Sequence, residues 1–309
     1  MQGRTVNEAS APKSAALAGT GADADADADA DLRAGRRGPV LHALQALRAI
    51  VLRELLGFSR QTGRLVSSLV RPLLWLAVFA AGFRNALGVA IVEPYDTYIP
   101  YDVYIVPGLV GMVLLFNGMQ SSLAMVYDRE MGLMRLLLTA PLPRPWLLLC
   151  KLCATGLSSL LQALAFVAVA MLLGTDLPVW SLGGLHALLA LAASACMLGA
   201  MGLLLSVYIR QLENFAGTMN FVIFPMYFLS TALYPLWKLR ESAAGWVFTL
   251  AAFNPFTHAI EWCRFALYGK DPGSAPWVVL ACLVVFFGLA CRGYDPRRGF
   301  GRRGQRGGS

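Results

Sequence analysis

The sequence predicts an all-α polytopic membrane protein with six transmembrane helices, on three observations. Hydrophobic residues make up 57% of the 309 positions and charged residues only 14%, against roughly a quarter charged in a soluble globular domain; mean hydropathy is +0.57. Five uncharged stretches punctuate the chain: 25 residues between Asp102 and Asp128, 24 between Lys151 and Asp176, 33 between Asp176 and Arg210, 24 between Glu213 and Lys238, and 20 between Asp271 and Arg292. About 20 apolar residues cross the hydrocarbon core as a helix. Lys and Arg also segregate: with the N-terminus inside, twenty-one fall on cytoplasmic pieces and five on outer ones, an asymmetry that places both termini in the cytoplasm.

The elements follow in order. Residues 1–38 are rich in Ala, Gly, Ser and Asp, and Ala22–Asp31 alternates Ala with Asp. Such a segment has too little apolar surface to order itself, so a disordered cytoplasmic tail is expected. From Pro39 the apolar residues Val40, Leu44, Leu47, Val51, Leu55 and Phe58 recur at helical spacing, with Arg48, Arg53 and Arg60 largely elsewhere. This reads as an amphipathic helix lying in the membrane interface, with packing on a partner protein as the alternative. The first span, Leu65–Phe83, contains Arg71 and is followed by Arg84, leaving 12 residues between the two arginines. It counts as a span on the expectation that both snorkel to opposite interfaces. Tyr95, Tyr98, Tyr101 and Tyr104 around the first outer loop read as an interfacial aromatic belt.

Spans two to five occupy the first four uncharged stretches. Ser242–Ile260 is uncharged for 19 residues but contains Asn254-Pro255, and the residue before a proline is disfavoured in the helical region. Re-entrant or interfacial helices at the outer face, between spans five and six, are expected there. The transmembrane domain thus covers 39–292, and 293–309 form a basic cytoplasmic tail.

Chemistry is sparse. There is no G-x-x-x-x-G-K-[ST], H-E-x-x-H or G-x-S-x-G, so no nucleotide cradle, catalytic residue or metal site is expected in this chain. Cys150-x-x-Cys153 lacks a second Cys or His pair, and His42, His186 and His258 fall on separate elements. Apart from Arg71, Arg84 and His186, the spans offer only uncharged polar groups such as Asn117, Gln120, Gln162 and Asn220. Ion-coupled transporters need buried acidic or basic relays, so the driving energy is expected to come from outside the chain. The basic balance is explained by cytoplasmic loops, and a nucleic-acid partner is not expected.

The loop after the second span runs Asp128-Arg-Glu-Met-Gly-Leu-Met-Arg-Leu-Leu-Leu-Thr-Ala-Pro-Leu-Pro-Arg144. Alternating charges lead into a short apolar helical run that prolines end. A peg that docks in a partner's groove and an interfacial connector fit this pattern equally.

That loop resembles the D-R-E-x-G-x-x-x-x-L-L-x-x-P-L motif of ABC-2 type transporter permeases, through Asp128, Arg129, Glu130, Gly132, Leu137, Leu138, Pro141 and Leu142. Members often carry Thr and an acidic residue after the glycine, whereas Leu133, Met134 and Arg135 follow here. A second stretch is similar to the family's F-x-P-x-x-F-L-S and N-P-(L/F)-T motifs: Phe224, Pro225, Leu229, Ser230 and Pro235, then Asn254, Pro255 and Thr257, then Glu261 and Arg264, with Thr231 where glycine is common. Val106-Pro107-Gly108 also fits. The resemblance implies the permease subunit of an ATP-binding-cassette exporter in a bacterial inner membrane. The 128–142 segment, Arg135 included, would couple to a separate ATPase subunit, and residues 225–264 would form a gate or outer re-entrant region. Two permease copies, as a homodimer, would sit with two ATPase subunits that bind the ATP and Mg; this chain would hold no cofactor. The readings in competition are a polytopic membrane scaffold and a secondary transporter without an ATPase.

Overall fold

Charge gaps and prolines divide the chain into helices, and the computed structural model follows those divisions closely. It describes residues 39–60, 62–83, 100–131, 143–179, 182–209, 211–236, 240 and 245–294. The expected 1–38 tail, Arg84, Tyr95, Tyr98, Gly132–Leu142 and all but the first two residues of the C-terminal tail lie outside the described residues. All regular structure within them is helical: α1 (Pro39–Arg60), α2 (Thr62–Phe83), α3 (Tyr101–Glu130), α4 (Arg144–Leu172), α5 (Leu182–Tyr208), α6 (Leu212–Phe228), α7 (Gly245–Phe253), α8 (Pro255–Leu267) and α9 (Ala275–Gly293). The chain divides into residues 1–48 and 49–309; of the first unit, the described part is the opening of α1.

Among the described residues, α3, α4, α5 and α9 are long and apolar enough to cross a membrane. Two of the six expected spans fall short of that mark for visible reasons. In α2 the apolar run is limited to Leu69–Phe79, and Arg71 interrupts it. Helix α6 has 17 residues, with Pro225 inside its last turn, which makes about 26 Å of helix.

Within the second unit, α5 is the hub. It is apolar all round, the pattern of a helix surrounded by protein or lipid, and it packs on α3, α4, α8 and α9. Small residues let the backbones close. A Cβ on Gly202 would stand 2.5 Å from Ser122 Oγ and 2.7 Å from the Gly118 carbonyl oxygen of α3, the close approach that stands in for hydrophobic driving force between membrane helices. The later part of α1 meets the same end of the bundle where α3 stops and α4 starts. Ile50 and Arg53 border a small cleft of about 20 Å³ with Met125, Leu148, Lys151 and Tyr294.

Helix ends follow local chemistry. Pro143 takes an extended conformation (φ −64°, ψ 138°) ahead of α4, and Gly174 turns the chain after it at φ 91°, the left-handed geometry glycine adopts freely. Asn254 caps α8, its side-chain oxygen accepting from the Phe256 N–H at 3.0 Å, with Pro255 in the first turn. Ser242–Ile260 is therefore broken into α7 and α8, as its Asn-Pro pair requires.

The aromatic-belt reading needs correction at two positions. Tyr101 and Tyr104 are each only 2% exposed. Three apart on the first turn of α3, they share the face turned into the bundle, where their hydroxyls find backbone partners.

Candidate functional site

The residues singled out by sequence gather at the two ends of the bundle. At one end, the last turn of α3 carries Asp128, Arg129 and Glu130. Asp128 Oδ2 pairs with Lys151 Nζ of α4 at 3.3 Å. Glu130 Oε1 accepts a hydrogen bond of 2.9 Å from the backbone N–H of Leu212, 82 positions on. Leu212 opens α6, whose N-cap residue Gln211 makes no side-chain cap bond. The first N–H groups of a helix lack intrahelical partners and carry its positive dipole end, so a carboxylate from α3 performs the capping. One turn of α3 thereby holds the start of α6 and the third turn of α4. The rest of the predicted motif, Gly132, Arg135, Leu137, Leu138, Pro141 and Leu142, lies outside the described residues. Because the Asp128–Lys151 side chains stay 27% and 20% exposed, Lys151→Gln is expected to lower stability by under about 1 kcal/mol, measured by thermal unfolding in detergent.

At the opposite end, α6 finishes in a turn that Ser230 organises: its hydroxyl donates to the Tyr227 carbonyl at 2.6 Å and accepts from the Ala232 N–H at 3.2 Å. Three elements hold this turn. Asn254 donates to the carbonyls of Met226 (2.8 Å) and Leu229 (2.7 Å), satisfying the exposed carbonyl end of α6. Arg264 of α8, only 2% exposed, donates from Nη2 to the Thr231 carbonyl and from Nη1 to Glu261 Oε1, both at 2.9 Å. Its guanidinium carbon lies 4.1 Å from the centroid of the Tyr104 ring, a cation–π contact in a site largely stripped of water. Tyr104 and Tyr101 donate to the carbonyls of Thr231 (3.4 Å) and Leu233 (2.9 Å). Gly108 completes the junction, since a Cβ there would run into the backbone of Ala232, 2.7 Å from its Cα.

Pro225, Leu229, Ser230, Asn254, Glu261 and Arg264 thus belong to one joint, with Pro235 just beyond it and Pro255 opening α8. What sequence reasoning missed is the other half of these contacts: Tyr101, Tyr104 and the Thr231 carbonyl at this joint, and Lys151 at the opposite end. Backbone acceptors leave no mark in sequence, and tyrosines at a span's edge look the same whether they face lipid or protein.

Between the two ends lies a polar layer. Asn117 of α3 donates to Ser159 Oγ at 2.7 Å and lies 3.4 Å from Ser158 Oγ on α4. The Arg71 guanidinium carbon of α2 sits 4.1 Å from the centroid of the Phe116 ring beside this layer, a cation–π contact. Among the described residues no three His, Cys, Asp or Glu side chains gather as metal ligands would.

Long apolar helices packed through small residues mark a multi-pass helical membrane protein. Residues 45–268, more than half of the chain, match the ABC-2 type transporter family, and the chain belongs to it: this is a transport permease of the ABC type. Relatives agree. The ycf38 protein of Pyropia yezoensis, described as a transport permease, is 28% identical over 81% of this chain and 82% of its own length. The daunorubicin resistance ABC transporter permease protein DrrB1 of Streptomyces coeruleorubidus is 23% identical over 85% of this chain and 90% of its own. The inner membrane transport permease YadH of Escherichia coli K12 is 23% identical over 80% and 93%.

Proposed function

We propose that this chain is the membrane half of an exporter powered by a separate ATPase. Six spans per chain are formed by α2, α3, α4, α5, α6 and α9, with both termini in the cytoplasm and two copies per transporter in a bacterial inner membrane. The twenty-one-to-five distribution of Lys and Arg supports that orientation. It puts the Asp128–Lys151 end on the cytoplasmic side, where an ATPase would reach residues 128–142.

The Leu212–Glu130 hydrogen bond carries this reading. With Asp128 tied to Lys151, a load applied beyond Glu130 is transmitted to α3, α4 and α6 together. A segment that only connected two spans would have no reason to anchor a third helix. The partner subunits would bind the ATP and Mg; this chain supplies the path and the lever.

Isolation in mild detergent is expected to recover an ATP-hydrolysing subunit of separate sequence. Glu130→Ala is expected to leave that complex assembled while lowering permease-stimulated hydrolysis about tenfold, the equivalent of one lost charge-assisted hydrogen bond. Transport in energised vesicles without ATP would instead identify a secondary transporter, and a chain that never co-purifies with an ATPase would leave the scaffold reading.

A further inference from the structure

The uncharged polar residues of the spans are drawn together by the fold. Arg71 of α2, Phe116, Asn117 and Gln120 of α3, and Gln162 of α4 line one chamber of about 120 Å³. A single water needs roughly 10–15 Å³ by this measure, so the space admits a polar group of several atoms.

Its depth can be set from the ion pair. Asn117 lies eleven residues along α3 from Asp128, and Gln162 eleven along α4 from Lys151. At 1.5 Å per residue, both are about 16 Å from the Asp128–Lys151 pair. With that pair at the membrane edge, the chamber lies near the middle of a hydrocarbon core about 30 Å thick.

Three features point to an occupant. A guanidinium at this depth calls for an opposite charge, yet no acidic side chain lines the chamber among the described residues. Gln162 is 1% exposed, and its Oε1 has no hydrogen-bond partner, a costly state that a donor would relieve. Arg71 also stands at the surface of α2 beside an apolar stripe, with Val70, Leu74 and Val78 exposed at 45%, 61% and 57%. Charge and donors inside, with hydrocarbon surface at the mouth, match a molecule with a polar head and an apolar tail.

We propose that this chamber binds the anionic, hydrogen-bond-donating head of an amphiphile whose hydrocarbon part runs along α2. Arg71 holds the charge, and Gln162 accepts from a hydroxyl or amide of the head. That the bound amphiphile is cargo rests on the permease reading; the site itself does not.

The full chain in detergent would be titrated with dioleoylphosphatidylglycerol, dioleoylphosphatidylcholine or inorganic phosphate, and bound lipid counted by native mass spectrometry. The expected result is a preference for phosphatidylglycerol over phosphatidylcholine of about tenfold. Arg71→Gln and Gln162→Leu should abolish or reduce it, and Arg71→Lys should keep part of it. Arg53→Gln, which removes an exposed charge on α1, should leave it unchanged. An unaltered preference in both Arg71→Gln and Gln162→Leu, or its loss in Arg53→Gln alone, overturns the site. Occupancy of the site by inorganic phosphate at the same concentrations overturns the amphiphile. Co-purification with an ATPase but no lipid preference sinks the chamber and spares the transporter; a preference without any ATPase does the reverse.

Discussion

Arg264→Leu is expected to cost about 3 kcal/mol of stability, the scale seen when one partner of a buried charge pair is removed. The guanidinium is held by Glu261, by the Thr231 carbonyl and by the face of Tyr104. Its loss leaves Glu261 without its cation and weakens the hold on the turn after α6. Glu261→Gln should cost less, because Glu261 keeps 22% of its side chain in contact with solvent. Arg264→Lys should rescue only part of the loss, since one ammonium cannot reproduce the two-pronged planar fork. Thermal unfolding followed by size-exclusion chromatography in detergent measures all three. A leucine variant as stable as the parent would show that the joint is held by packing alone.

Gly108→Ala is expected to cost a further 1–3 kcal/mol or so by overpacking. The obstacle is the backbone of Ala232, which cannot swing aside as a flexible side chain would. Accommodating the methyl group means moving the turn away from α3 and stretching the Tyr101 and Tyr104 bonds to Leu233 and Thr231. Gly288→Ala, where an added Cβ meets nothing within 4 Å, is the control and should be neutral or mildly stabilising. Because Gly108 and Arg264 grip the same turn, the double variant should lose less than the sum of the two, a coupling that a double-mutant cycle reads directly.

These two residues also mark where sequence reading works and where it stops. The Glu261–Arg264 pair was legible from spacing, since residues three apart on a helix are neighbours. The Asn254-Pro255 break was legible from proline sterics. Four long apolar helices followed from gaps between charges. The burial of Tyr101 and Tyr104 was not legible, because it depends on which face of α3 meets a turn more than 120 positions away. Nor was the capping of α6 by Glu130, since an unpaired N–H at a helix start has no residue code. The contact of Arg71 with the Phe116 ring was not legible either, since it depends on how α2 meets α3. For the motif from Gly132 to Leu142, the sequence resemblance is all that supports the coupling role proposed above.

The position of α5 carries a consequence for biogenesis. Ribosomes deliver α3 and α4 first, so α5 has two neighbours waiting when it enters the bilayer, and Gly202 seats against Gly118 and Ser122 at once. Its other flank waits for α8 and α9. Gly183, against which the carbonyls of Ala266 and Leu267 close, stays uncovered until those helices are made. A chain truncated after Tyr208 therefore keeps one flank of α5 seated and leaves the other, from Gly183 on, without the helices that cover it.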